Sequence, residues 1–216
     1  MNLIDKCECG LSYVAGHPDN EERHRIVHEE YLNGPQLSVF TTGEKVAEVD
    51  EFAVVRVSDE STEEVRSAAA KLARAAHYST PGDSIGYDGS TGHELIVYAL
   101  LHGEHAIGYL LIGKTRRSWC LRWIGQGKAE LISKEANLDE RIVIARIWIA
   151  KNYQRKGLAR RLIEVVATTE KQEVSNMTYQ LRFTAAGTCL IQALVPDTWY
   201  GDGDAFDLQD ILERSS

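Results

Sequence analysis

Four residues near the amino terminus could together hold a metal ion. Cys7 and Cys9 stand one residue apart, and fourteen residues separate Cys9 from His24, which is followed by His28 in "HRIVH". Residues four apart share one face of a helix, so His24 and His28 in "NEERHRIVHEEYL" can reach one ion together. Two thiolates with two imidazoles make a tetrahedral zinc set. Ile26, Val27 and Tyr31 are too few to form a core for a unit of this size, so a metal would supply much of its stability. His17 is a spare imidazole in the same stretch.

A second group of residues suits an anion. "QRKGLA", Gln154 to Ala159, stands between a β-branched run, "RIVIARIWIA" (141–150), and a helical pattern, "GLARRLIEVVATTEK". Gly157 lets the backbone approach a ligand closely, and Ala159 leaves the first helical turn unobstructed. Unpaired N–H groups and the helix dipole then make an anion site, with Arg155, Lys156 and Arg160 beside it. A diphosphate fits such a loop.

The elements that must position these groups are read from patterning. Residues 1–35 are expected as a small separate unit ending in the breakers Asn33, Gly34 and Pro35, and residues 36–50 as a linker. Residues 51–216 form the main domain. There "FAVVRVS" reads as a strand and "STEEVRSAAAKLARAA" as a helix opened by Ser61 or Thr62. Two apolar runs, 94–101 and 106–113, meet across "HGEH" as a hairpin. "RWIGQGKAELIS" has no clear period, and "TYQLRFT" reads as a strand ahead of a short helix and an acidic tail. The fold class is α/β: a mixed sheet flanked by helices, with a two-Cys two-His finger in front.

Composition narrows the partners. The chain has 216 residues, 44% of them apolar, and its 24 Lys and Arg stand against 32 Asp and Glu for a formal charge of -8. That balance disfavours a phosphate backbone and suits a basic partner. Residues 1–34 carry three basic side chains against seven acidic ones, so direct reading of nucleic acid by the finger is not expected. No stretch reaches the roughly 18 apolar residues of a spanning helix, and no basic segment with an apolar run opens the chain, so an intracellular, cytoplasmic setting is expected, or a nuclear one in a eukaryote.

The loop and its flanks resemble the GCN5-related N-acetyltransferase (GNAT) superfamily. "ARIWIAKNYQRKGLARRLIEVV" is similar to the sister-chromatid cohesion acetyltransferases, with their Arg-Ile-Trp strand, here Arg146, Ile147 and Trp148. The finger resembles theirs too: "CECGLSY", Asp19, "HRIVH" and "LNG" follow their pattern, with the cysteine pair one residue closer. The resemblance implies a sheet of GNAT type and acetyl-CoA as cosubstrate. It further implies that Ile147, Trp148 and Ile149 offer backbone hydrogen bonds to the pantetheine arm, and that Gln154, Arg155, Lys156, Gly157, Leu158 and Ala159, with Arg160, surround the diphosphate. The activity implied is transfer of acetyl to an amine, above all a protein lysine. The alternatives are a small-molecule amine as acceptor, or a binding module that keeps the fold without catalysis.

Attack by a lysine needs a proton acceptor near neutral pH. Glu164, Asp139, Glu140, Tyr179 and Tyr200 are the candidates, and the resemblance favours Glu164 for its place in the helix after the loop. "RFTAAGT" matches the cohesion enzymes at Phe183, Thr184 and Gly187 but lacks their acidic residue, so cohesin specificity is not implied.

Overall fold

The computed structural model describes residues 4–79, 87–89, 94–125, 127–180 and 184–202. The acidic tail, His93, and Phe183 in the "RFTAAGT" segment lie outside them. The chain divides into two compact units, one of residues 1–111 with 147–162 and the other of 112–146 with 163–216.

The first unit starts with a hairpin, β1 (Ile4–Lys6) and β2 (Ser12–Val14), followed by helix α1 (Pro18–Asn33). Pro18 opens α1, where its missing N–H costs nothing, and Gly34 ends it at φ 77 with its N–H on the Glu30 carbonyl. The stretch expected as a linker, 36–50, carries a 3-10 turn at Ser38–Thr42 and a strand, β3 (Glu44–Val49). β3 pairs antiparallel with β4 (Phe52–Val57), the register shifting between Lys45 and Ala47, and β4 pairs antiparallel with β5 (Ile96–His102). Between β4 and β5 runs α2 (Glu63–Ser79). Thr62 caps it, accepting from the Val65 N–H, and its buried stripe of Val65, Ala68, Ala69, Leu72 and Ala76 is mostly small. Val97 through Leu101 are all buried, the pattern of a strand covered on both faces.

A turn at Gly103, φ 60, leads from β5 into β6 (His105–Gly125), and Gly125 and Gly127 bound the turn into β7 (Lys128–Ile149). The unassigned "RWIGQGKAELIS" is thus the far end of this long hairpin. After β7 come a 3-10 turn at Lys151–Tyr153 and α3 (Leu158–Thr169).

In the second unit the remaining parts of β6 and β7 join β8 (Thr178–Tyr179) and β9 (Thr198–Asp202), with α4 (Ala185–Leu194) between these two. β7 and β8 pair parallel at Val143↔Thr178 and Ile144↔Tyr179, β8 and β9 are parallel, and β9 runs antiparallel to β6 from Ser118↔Asp202 to Arg122↔Thr198. The sheet is therefore mixed, as expected for the α/β class. Of "TYQLRFT", Thr178 and Tyr179 are in the strand. Trp123 stacks on Trp199 at 5.0 Å and donates its indole N–H to the Val195 carbonyl.

Candidate functional site

The metal candidates come together. The turn of the first hairpin is closed by bonds from the Cys7 N–H to the Leu11 carbonyl and from the Gly10 N–H to the Cys7 carbonyl, with Gly10 at φ 88. This tight turn brings two cysteines one residue apart toward one point, and α1 supplies His24 and His28 from successive turns. The four ligand atoms lie within 4.8 Å of one another, and Cys7 Sγ is 3.2 Å from His28 Nδ1. Four donors around a zinc ion stand roughly 3.3–3.8 Å apart, so a small contraction closes the set.

Two further observations fit a metal. His24 Nε2 is buried without a hydrogen-bond partner, an arrangement that costs energy unless something takes the lone pair. The His24 ring lies on Tyr13 with centroids 3.9 Å apart and planes 10° from parallel, which fixes its direction. Cys9 is fully buried; burial pushes its thiol up and neighbouring Cys7 adds to this, so a cation would be the partner that keeps it a thiolate. His17 is exposed at the start of α1 and is not among the four clustered side chains.

The anion loop is built from the end of β7. The Ala150 N–H donates to the Ile107 carbonyl on β6 at 2.8 Å, so the other side of that peptide, the Ile149 carbonyl, faces away from β6. There it accepts from the Gln154 side-chain amide at 2.8 Å. The Lys151–Tyr153 turn then reverses the chain, and two residues take left-handed backbone: Arg155 at φ 61 and Gly157 at φ 77. A Cβ added at Gly157 would meet nothing within 4 Å. The glycine is thus required by the backbone rather than by crowding, and the space over it is open to a ligand. α3 begins at Leu158, where the first N–H groups of a helix have no intrahelical partner. Leu158 is buried and anchors the turn, while Arg155, Lys156 and Arg160 are exposed. Arg161 pairs with Asp50. Ile147 is half-buried, and Trp148 and Ile149 are buried, the indole N–H of Trp148 without a partner.

The candidate proton acceptors differ. Glu164 is exposed on α3, away from the buried stripe of Leu158, Leu162, Ile163 and Val166. Glu140 is taken by Lys114 and Arg116, and Lys114 first holds its carboxyl below the usual range. Tyr179 donates its hydroxyl to the Val174 carbonyl, and burial pushes that phenol far above neutrality, so it cannot take a proton there. The ring of Tyr200 is covered by the Arg141 guanidinium at 3.7 Å. The side chain of Asp139 lies outside the described residues.

Sequence reasoning missed the contacts that surround the loop. Asn152 donates to Asn33 of α1 at 2.8 Å, Lys151 stands 4.0 Å from Glu8, and the Tyr153 hydroxyl is bonded to His102. No motif or spacing marks these pairs.

A model of the acetyltransferase (GNAT) family matches residues 62–180. Two solved structures share the fold. The xEco2 acetyltransferase domain bound to a K105-CoA conjugate superposes with a TM-score of 0.60 at 14% identity, covering 73% of this chain and 95% of that one. A second xEco2 acetyltransferase domain gives a TM-score of 0.59 at 14% identity, covering 73% and 94%. No curated protein matches the chain.

Proposed function

The chain belongs to the acetyltransferase (GNAT) family, and from that premise we propose that it transfers the acetyl group of acetyl-CoA to the side-chain amine of a lysine on a protein, inside the cell. The observation that carries this reading is the loop: left-handed Arg155 and Gly157, open space over Gly157, and the α3 N-terminus with three exposed cations beside it. A diphosphate is the ligand such a loop suits, and coenzyme A brings one.

The residues divide the work as follows. Backbone N–H groups of the loop and of Leu158 and Ala159 hold the diphosphate, with Arg155, Lys156 and Arg160 adding charge. The edge of β7 at Ile147 and Ile149 faces the pantetheine arm. The lysine nitrogen attacks the thioester carbonyl, the C–S bond breaks, and coenzyme A leaves as its thiolate. The proton released by the amine is taken by Glu164, an exposed residue of α3. Zinc, held by Cys7, Cys9, His24 and His28, supplies folding energy to the finger. A lysine acceptor is supported by the chain's charge of -8, which favours a basic segment, and by the lysine conjugate of the xEco2 structure.

Calorimetry with acetyl-CoA, followed by a mass-spectrometric screen of proteins and small amines, tests this. Failure to bind acetyl-CoA overturns the proposal. Binding without turnover on any amine leaves a non-catalytic module, and turnover on small amines alone moves the acceptor to that class.

A further inference from the structure

Three rings from three separate segments meet beside the loop. Phe52 opens β4, His102 ends β5, and Tyr153 closes the turn that leads into Gln154. His102 Nδ1 and the Tyr153 hydroxyl are 2.9 Å apart, with their ring centroids at 5.7 Å. Phe52, almost fully buried, stands 5.3 Å from His102 and 6.2 Å from Tyr153, meeting the latter edge-on at 84°. The Lys156 ammonium lies 5.0 Å from the centre of the Tyr153 ring. Phe52 therefore supplies a fixed floor, His102 a polar anchor, and Tyr153 the link from that anchor to a cation of the loop.

The loop follows a turn that is itself tied to α1 by the Asn152–Asn33 bond, with Lys151 4.0 Å from Glu8. Its inner side is tied by the Gln154 amide to Ile149, and its carboxyl end by Leu158 in the core. Between these, Arg155 is held left-handed, a conformation that an arginine keeps only where its surroundings impose it. Backbone donors already arranged for an anion bind it more tightly than donors that must be ordered first.

We infer that His102 is a positioning residue for the acetyl-CoA loop: through Tyr153 it fixes the start of the loop and the place of Lys156, and so arranges the site for the diphosphate. This rests on the proposed binding of acetyl-CoA. His102 touches Tyr153, so its effect falls on cosubstrate affinity and leaves the acetyl-transfer step alone.

Calorimetric titration of the full chain with acetyl-CoA, and separately with coenzyme A, tests the inference using H102A, H102N and Y153F. Loss of one net hydrogen bond predicts a rise in Kd of about 3- to 10-fold for H102A and for Y153F. The double variant H102A/Y153F should be no weaker than either single one, because both remove the same bond. The side-chain oxygen of H102N can accept from the tyrosine and should restore binding to within about 2-fold. Turnover at saturating acetyl-CoA should stay at the parent value throughout. Parent-like affinity in both H102A and Y153F overturns the inference, as do additive losses or a fall in turnover with Kd unchanged. Y153F keeps the ring and decides the matter should H102A fail to fold. A parent chain that does not bind acetyl-CoA overturns the proposed function itself, whereas a binding parent with parent-like variants overturns only the role of His102.

Discussion

Replacing Gly157 with alanine separates backbone approach from charge. Gly157 sits at φ 77, and the added Cβ meets no protein atom within 4 Å, so no clash contributes. What remains is the left-handed cost for an L-residue, about 1–2 kcal/mol, offset by about 0.4–1 kcal/mol because alanine narrows the unfolded ensemble. A net loss near 1 kcal/mol lowers Tm by about 2–4 °C in a chain of this size. Binding should suffer more, because the methyl group occupies the space a diphosphate would approach, and Kd for acetyl-CoA should rise more than about 10-fold. Two comparisons isolate the cause. In G34A the new Cβ would stand 2.2 Å from the Ala106 carbonyl oxygen, and that strand is pinned by the Ala106 N–H on the Pro35 carbonyl. G34A should therefore lose about 3 kcal/mol or more of stability. R155G relieves a left-handed arginine at φ 61, so its stability should change by less than about 0.5 kcal/mol while its acetyl-CoA affinity falls in a salt-dependent manner. Thermal melts and calorimetry at two salt concentrations read all three. A G157A protein that binds acetyl-CoA within about 2-fold of the parent would refute placement of the diphosphate on this loop.

Three other outcomes are expected. The purified protein should carry about one equivalent of zinc by elemental analysis, lost in C9S and H24A, and zinc removal should raise hydrogen exchange at 151–153, since α1 meets that turn through Asn33 and Asn152; a parent with less than half an equivalent counts against the finger. Burial raises the carboxyl of Glu30, only partly opposed by Arg74. Its folded value thus lies above the unfolded one, so its stabilisation is complete below about pH 4.3 and is lost as pH rises through the raised value. E30Q should accordingly melt higher than the parent at pH 7 and equal it at pH 4, and a lower melt at pH 7 would mean the attraction of Arg74 prevails. E164Q should lower kcat about 10- to 100-fold with the Kd for acetyl-CoA unchanged, and parent-like kcat removes Glu164 from the chemistry.

Local signals were the legible ones. The zinc candidates could be read because an i,i+4 histidine pair and a close cysteine pair each declare their geometry within a few residues. α2 and α3 were legible as helices, while the choice between Ser61 and Thr62 as the cap of α2 was settled only by the Val65 N–H bonding to Thr62. The strands that escaped reading expose many of their side chains to water. "EKVAEV" of β3 holds no fully buried residue, and the far part of β6 exposes Lys114, Arg116, Arg117 and Arg122. Strand preference depends on the partner a segment finds, and β9, which pairs with Ser118–Arg122, lies far along the chain. β8 reads as part of a longer run because "TYQLRFT" alternates, yet only the pairing with Val143 and Ile144 shows where its described strand lies.

The loop shows the same boundary between what sequence carries and what packing decides. Gln154 stands in the motif, and sequence reasoning assigned it to the diphosphate along with its neighbours. In the structure its amide is spent on the Ile149 carbonyl, one of the groups that the family resemblance gave to the pantetheine arm. The two assignments can coexist, because a carbonyl oxygen has a second lone pair, but the geometry ranks them. The Ile149 N–H, by strand alternation, faces the same edge as its carbonyl, and the Ile147 groups share that edge. Gln154 thus acts as a brace between strand and loop. The edge of β7 and the loop are tied through one side chain, a link that residue types alone do not reveal.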